Sequence, residues 1–276
     1  MPHQNPGMAV TPILRQRGAN RIAIDEVLAV EMPLEIRLGY THPQHGRQCK
    51  SLYVTMRTPG HDLELATGFL FGEGIITTAT DIESVDTRWN NIVTIELKEN
   101  ISVSLERLER NFYTSSSCGL CGKATLKAVG LQGAKAVVGD DFSPSPSTLC
   151  RLGNSLREHQ LLFRQTGGNH ATAAFNSQGE ILLVREDIGR HNAMDKLIGR
   201  LLLDSRVPLQ DIGFLVSGRT SFELMQKTLM AGCPLLAGVG APSSLAVDLA
   251  QEYNVTLVGF LREDGFNIFH GANRIQ

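Results

Sequence analysis

The chain is poor in cysteine, carries almost no net charge and has no long apolar run, and each shortage removes a class of function. A net charge of -2 over 276 residues leaves no electrostatic footprint for a general nucleic-acid partner or an anionic membrane surface. No run approaches the ~18–20 apolar residues of a membrane span. Residues 1–20 are polar, with Pro2, Pro6 and Pro12 and no apolar core of a secretory signal, and they read as a loose tail. Five cysteines, an odd number, do not suit a secreted disulfide framework and fit a reducing cytoplasm. G-x-x-x-x-G-K-[ST] does not occur, so there is no P-loop.

What remains is an ordinary globular composition, 42% hydrophobic and 20% charged. Alternation at 33–40 and 51–57 predicts a strand hairpin around a polar turn at 42–50. Thr58-Pro59-Gly60-His61-Asp62 reads as a turn, with Asp62 capping a helix through Leu70. Strands at 92–97 and 101–105 predict a second hairpin around Lys98-Glu99-Asn100. Residues 21–112 therefore read as a small α+β unit. Beyond it, Ser147 is expected to cap a helix bearing Leu149, Leu152 and Leu156. Strands at 170–175 and 181–185 flank the turn Asn176–Gly179 as a further hairpin. Helices at 190–203, 221–230 and 243–253 then alternate with strands at 212–216, 234–239 and 255–261, and a last strand covers 266–270. That alternation predicts α/β with a mainly parallel sheet over 113–276.

Two of the cysteines sit in Ser115-Ser116-Ser117-Cys118-Gly119-Leu120-Cys121-Gly122-Lys123. Small residues surround them, and Lys123 to Val129 has helical spacing. Near a helix N-terminus, unpaired amides and the positive end of the dipole favour a thiolate, the nucleophile of sulfur chemistry. The spacing suits a dithiol–disulfide redox site and a persulfide carrier equally. Half of a zinc site is a third reading, but Cys49, Cys150 and Cys233 stand alone and supply no second C-x-x-C. Two incidental cysteines in a turn is the fourth, and the loop has few apolar residues to bury them. Cys150 and Cys233 read as core residues.

Several loops fall at the carboxyl ends of the expected strands, where open α/β sheets bind ligands. Gly189-Arg190-His191 and Ser217-Gly218-Arg219 each set a glycine and an arginine at a helix start, which suits an anion. Gly238 to Ser244 is a third such turn. Phe260-Leu261-Arg262-Glu263-Asp264-Gly265 ends the last long strand. His191 is a candidate for ligand binding or acid–base work; His170, within a strand, reads as structural. Asp187, Asp195 and Lys196 lie close by in sequence.

Taken in order, Arg57-Thr58-Pro59-Gly60, Gly68 to Gly74, Ser117 to Gly122, Thr166-Gly167-Gly168, Glu186 to Asn192, Val216 to Arg219, Ala241 to Ala246 and Gly259-Phe260 resemble the formate dehydrogenase accessory sulfurtransferase family, FdhD. The resemblance covers nearly all the chain after the tail. It implies a cytidine-deaminase-like α/β domain with a smaller α+β N-terminal domain, and a homodimer. It implies a sulfur carrier that takes persulfide sulfur from a cysteine desulfurase and passes it to the molybdenum of bis(molybdopterin guanine dinucleotide) for formate dehydrogenase. Cys118 matches the persulfide residue, with Cys121 as helper, and Phe260 to Gly265 match the cofactor-binding segment. The acidic Glu263 and Asp264 point to backbone rather than side-chain contacts there. Zinc deaminases need H-x-E with P-C-x-x-C; this chain has no H-x-E, and Ser117 precedes Cys118. No permanently bound metal is expected. A dithiol oxidoreductase and a non-enzymatic molybdenum-cofactor chaperone are the competing functions.

Overall fold

A computed structural model describes residues 5–103, 136–137 and 142–276. Cys118, Cys121 and the helix expected at 123–129 lie outside the described residues.

The chain opens on a hairpin. Strands β1 (Met8–Arg17) and β2 (Asn20–Ala29) pair antiparallel across Gly18, whose φ of +57° a glycine adopts without strain. This corrects the loose tail expected for residues 1–20. The prolines read as breakers, but a two-stranded ribbon is all edge and tolerates Pro12 opposite Asp25.

Alternation then builds a four-stranded sheet from β3 (Met32–His42), β4 (Gly46–Arg57), β5 (Ile82–Asp86) and β6 (Ile92–Leu97), in the order β4-β3-β6-β5. Leu34, Ile36 and Leu38 point inward from β3, and Val93, Ile95 and Leu97 from β6. The hairpin partner of β6 is β5, which precedes it; residues 104–105 of the strand expected at 101–105 lie outside the described residues. Asn91, at φ +62°, makes the tight entry into β6, while 101–103 are irregular.

Helix α1 (Asp62–Gly72) follows β4. Its N-cap is His61, at φ +59° with no side-chain bond, and not Asp62, whose carboxylate is taken by Arg57. Leu65 to Gly72 are buried all round the helix. A helix apolar on every face must be covered on every face.

The second sheet holds β7 (His170–Phe175), β8 (Ile181–Asp187), β9 (Gly213–Val216), β10 (Leu235–Gly238), β11 (Thr256–Arg262) and β12 (Gly265–His270), in the order β12-β11-β10-β9-β7-β8. Only β9, β10 and β11 run parallel, joined through α5 (Phe222–Met230) and α6 (Ser244–Glu252). The turns at Asn176–Gly179 and Glu263–Asp264 fold β8 and β12 back antiparallel, and β7 is antiparallel to β9. The sheet is therefore mixed rather than mainly parallel. Helix α2 (Pro146–His159) lays Leu149, Leu152 and Leu156 on one face of it, and the short α3 (Leu161–Thr166) follows. The α2 cap is Ser145, accepting from the Thr148 amide with Pro146 at the first helical position, and not Ser147.

Helix α4 (Arg190–Leu203) covers the other face and crosses α1. One continuous apolar cluster runs from Leu34 and Leu38 through Leu65, Leu70 and Leu197 to Phe214 and Leu257. The crossing is closer than side chains permit. A Cβ on Gly68 would lie 1.9 Å from the Asp195 carbonyl oxygen, and one on Gly199 would lie 1.9 Å from that of Glu64. Glu64 also receives a two-pronged bond from Arg185 of β8, at 2.5 and 2.9 Å. Burial works against the Glu64 carboxylate, but Arg185 and His61 outweigh it and pull its pKa down to about 2.

Gly68→Ala is expected to force the helices apart and lower stability by ~3 kcal/mol in urea denaturation. Gly153→Ala, on α2 where an added Cβ meets nothing, is the control and should raise stability by ~0.5–1 kcal/mol.

Candidate functional site

The sheet brings five loops to one edge. Strands β9, β10 and β11 end there; β7 runs the other way and begins there at His170; β8 ends there at Asp187. Backbone bonds join the loops into a ledge. The Gly240 amide donates to the Gly218 carbonyl at 2.9 Å, and the Phe260 amide to the Gly240 carbonyl at 3.1 Å. The Thr220 amide donates to the Ala241 carbonyl at 3.1 Å. Glycine is required at the centre, since a Cβ on Gly240 would sit 2.9 Å from the Arg219 nitrogen.

Cationic side chains gather on this ledge. The His170 pKa is lowered, first by burial and then by Arg190, His191 and Arg219. Asp187 opposes them and raises it. Arg219 is exposed, and Arg190 has a buried Nε without a partner among the described residues. The Thr220 hydroxyl is likewise buried and unpartnered. His191 sets its Nε2 2.9 Å from the Glu223 carboxylate and 3.2 Å from the Ser221 hydroxyl. Helix α4 starts at Arg190 behind Gly189, which has no side chain to satisfy the first amides. Forked guanidinium donors beside free helix amides suit a ligand rich in anionic oxygens.

The remaining residues expected at the site divide by what already holds them. Ser217 is consumed internally: its hydroxyl accepts from the Ala171 amide at 2.9 Å, and its own amide donates to the Ala171 carbonyl at 3.0 Å. Phe260 adopts φ +54° and is 43% exposed. Leu261 is buried in the core under α2. Arg262 donates to the Val239 carbonyl at 2.8 Å. Glu263 is turned toward α2, where it accepts from Asn154 at 2.7 Å. Asp264 is exposed in the turn, and Gly265 begins β12. Of that segment, Phe260 and Arg262 bond to the ledge loops.

A buried polar knot holds the ledge from behind. Asp187, fully buried, lies 2.7 Å from the Lys196 ammonium. Its oxygens also accept from the amides of Thr58 and Gly189 and from the side chain of Asn192. Lys196 donates onward to the Thr58 carbonyl at 2.8 Å. The Thr58 hydroxyl accepts from Asn169 at 2.9 Å and from the Ile188 amide at 3.1 Å. Thr58, Asn169, Asn192 and Lys196 are functional in this positioning sense. The sequence set Thr58 and Asn192 in motifs and Lys196 as a neighbour, without showing that they meet. Asp195, next to Lys196, points elsewhere and pairs with Lys227 at 2.6 Å. Burial works against the Lys227 ammonium, yet Asp195, Glu73 and Glu223 outweigh it and raise its pKa.

Cys233 is buried between the carbonyls of Ile212 and Leu235, and burial pushes its thiol up to about 12. Cys49, on β4, is raised too, by burial and then by Glu96. Neither environment favours a thiolate. Cys118 and Cys121 lie outside the described residues. Among the described residues there is no group of three or more metal-binding side chains, and no helix is long and apolar enough to cross a membrane.

A family model described as the FdhD/NarQ family matches residues 29–276. The chain is 48% identical over 263 residues to a protein of Mycolicibacterium paratuberculosis named Sulfur carrier protein FdhD, covering 92% of this chain and 93% of that one. A protein of the same name from Streptomyces coelicolor is 46% identical over 262 residues, covering 91% and 89%. A crystal structure from Desulfotalea psychrophila, described as a formate dehydrogenase accessory protein, shares the fold with a TM-score of 0.75, covering 98% of this chain and 100% of that one at 24% identity.

Lys196→Met leaves the Asp187 carboxylate buried without its cation, and a loss of ~3–5 kcal/mol is expected in urea denaturation. The double variant with Asp187→Asn should recover part of that loss.

Proposed function

The chain belongs to the FdhD/NarQ family, and from that premise we propose that it is a sulfur carrier serving a molybdenum enzyme. The observation that carries the reading is the near-full-length identity to relatives named sulfur carriers, in a chain that keeps a C-x-x-C among serines and glycines. Cys118 is the acceptor. Its thiolate attacks the terminal sulfur of a persulfide on a cysteine desulfurase. The sulfur–sulfur bond breaks, the donor cysteine leaves as its thiolate, and Cys118 becomes the persulfide. Cys121 assists.

Delivery is to the molybdenum of bis(molybdopterin guanine dinucleotide), the substrate, destined for formate dehydrogenase. The Cys118 persulfide bond breaks, Cys118 returns as a thiolate, and the sulfur becomes a sulfide ligand. That step takes two electrons from the metal, so the substrate must arrive reduced. The ledge supports this reading because its chemistry suits the substrate's phosphates. Arg190, Arg219 and the first amides of α4 supply the donors, with Gly189, Gly218 and Phe260 setting the backbone. His191 and Arg262 border the phosphates, while Ser217, Leu261 and Glu263 are held by protein partners and only shape the strand ends. Holding the substrate fixed makes the transfer effectively intramolecular. We further take the protein to be a cytoplasmic homodimer whose second sheet and helices form a cytidine-deaminase-like unit.

Intact-protein mass spectrometry after incubation with a cysteine desulfurase and cysteine, without reductant, tests the carrier step. Wild type should gain sulfur mass that reductant removes, Cys118→Ala should fall to background, and Cys121→Ala should still load. A wild type that gains no sulfur and instead loses two hydrogens to a disulfide would make the protein a dithiol oxidoreductase.

A further inference from the structure

The hairpin that opens the chain stands apart from the rest of the molecule. Strands β1 and β2 pair only with each other, and no residue of Met8–Ala29 belongs to the apolar core of the described residues. The ribbon is held at its base, where the Val30 amide donates to the Gly7 carbonyl at 2.9 Å and β2 meets α3. Beyond the base it carries apolar side chains on both faces. Val10 and Leu14 are 63% and 67% exposed on one face, and Ile22 is 53% exposed on the other. An isolated two-stranded hairpin is marginal in water, and further strands with an apolar face stabilise it.

The two edges of the ribbon differ. Its two-residue turn, Gly18–Ala19, makes Arg17 and Asn20 the first hydrogen-bonded pair. Alternation along the ladder then turns the N–H and C=O of every second residue outward. On β1 that outward row runs through Pro12, which has no N–H to offer. On β2 the row is Arg21, Ala23, Asp25 and Val27, each with a donor and an acceptor. This β2 edge is complementary to itself. Two copies of β2 running antiparallel about a two-fold axis at Ala23 set Arg21 opposite the partner's Asp25 and Ile22 opposite the partner's Ile24, each pair occurring twice. Arg21 and Asp25 are both exposed, and Arg21 is bonded to Gln16 at 2.9 Å. Opposite charges and apolar pairs directly across a ladder stabilise it, and like charges destabilise it. An axis at Arg21 or Asp25 would oppose like charges, and an axis at Ile22 or Ile24 would set both charges against apolar residues.

We propose that the ribbon is the arm by which the chain grips a second copy of itself, the two β2 edges pairing antiparallel about Ala23 into one four-stranded sheet. Such a contact is isologous, the same strand serving on both sides of the axis. One face of the joined sheet gathers Ile13, Ile22 and Ile24 from each copy, which is the apolar face a lone ribbon lacks. The same register brings the tip of each ribbon to the base of the other. The inference rests on the homodimer taken above and gives it a surface. A monomeric wild type would sink both, whereas a dimer indifferent to the ribbon would sink this one alone.

Sedimentation equilibrium of the full chain tests it. Wild type should be dimeric. Ala23→Pro removes the central outward N–H while sparing the β1–β2 ladder, and should be monomeric at concentrations where wild type is not. Val10→Pro, the matching change on the β1 edge, should stay dimeric. Arg21→Asp and Asp25→Arg should each raise the dimer dissociation constant about 10-fold or more, since two attractive pairs become two repulsive ones. An equimolar mixture of those two variants should recover wild-type association, because the mixed dimer regains both ion pairs, and that recovery shows that each variant is folded. An Ala23→Pro protein that stays dimeric, or a mixture that associates no better than its parts, would overturn the proposal. So would a monomeric wild type whose sulfur loading is lost in Ala23→Pro, which would give the edge to a strand of the desulfurase.

Discussion

The fully buried Asp187 carboxylate is the point on which the rest of the structure depends. It neutralises Lys196 while accepting amides from Thr58 and Gly189 and a side-chain N–H from Asn192. A buried charge is tolerable only when paired and hydrogen-bonded throughout, and here the partners come from two pieces of the frame, Thr58 on one side and α4 with its cap on the other. Thr58 follows β4 and leads into α1, Gly189 caps α4, and Asn192 and Lys196 lie within the first two turns of α4. One carboxylate thus registers the N-terminal sheet against the helix that begins at the ledge. The glycine crossing of α1 and α4 does the same job with shape, since Gly68 and Gly199 let each backbone touch the other.

The ledge inherits its rigidity from that registration. Its loops carry few side-chain contacts of their own and are joined through main-chain bonds from Gly218 to Gly240 to Phe260. Preorganised amides and guanidinium groups lose little freedom on meeting a ligand, which is how a small set of donors becomes a useful site. The division of labour is plain in the side chains. Those of the Glu186–Asn192 stretch that look most chemical, Asp187 and Asn192, face inward and hold, while Arg190 and His191 remain beside Arg219 and His170.

Much of this was legible in the sequence. The strand–helix alternation from residue 190 onward gave the elements almost residue for residue, because apolar spacing and turn residues agree there. The loops of the ledge were found from their position at strand ends. What was not legible has physical causes. Prolines hid β1, because a ribbon that is all edge does not need every amide. The turn at 263–264 reversed a strand that alternation alone reads as parallel, whereas the turn at 176–179 carries the hairpin expected of it. Asp62 looked like a helix cap until Arg57, five residues before it, claimed it. Ser217, Leu261 and Glu263 looked available, yet each is held by neighbours from other elements. The Thr58 knot is invisible from spacing, since its bonds join residues 111 to 138 apart.

The central claim is that sulfur carried by this chain reaches a substrate held on the ledge. Its most direct test loads the protein with radiolabelled sulfur from labelled cysteine and a desulfurase, isolates it, and presents reduced molybdenum cofactor in a single turnover. The account predicts that label leaves the wild-type protein for the cofactor, and that it stays on the protein in an Arg190→Ala, Arg219→Ala double variant that loads normally. Label that never leaves the wild type, or leaves both proteins equally, would contradict it.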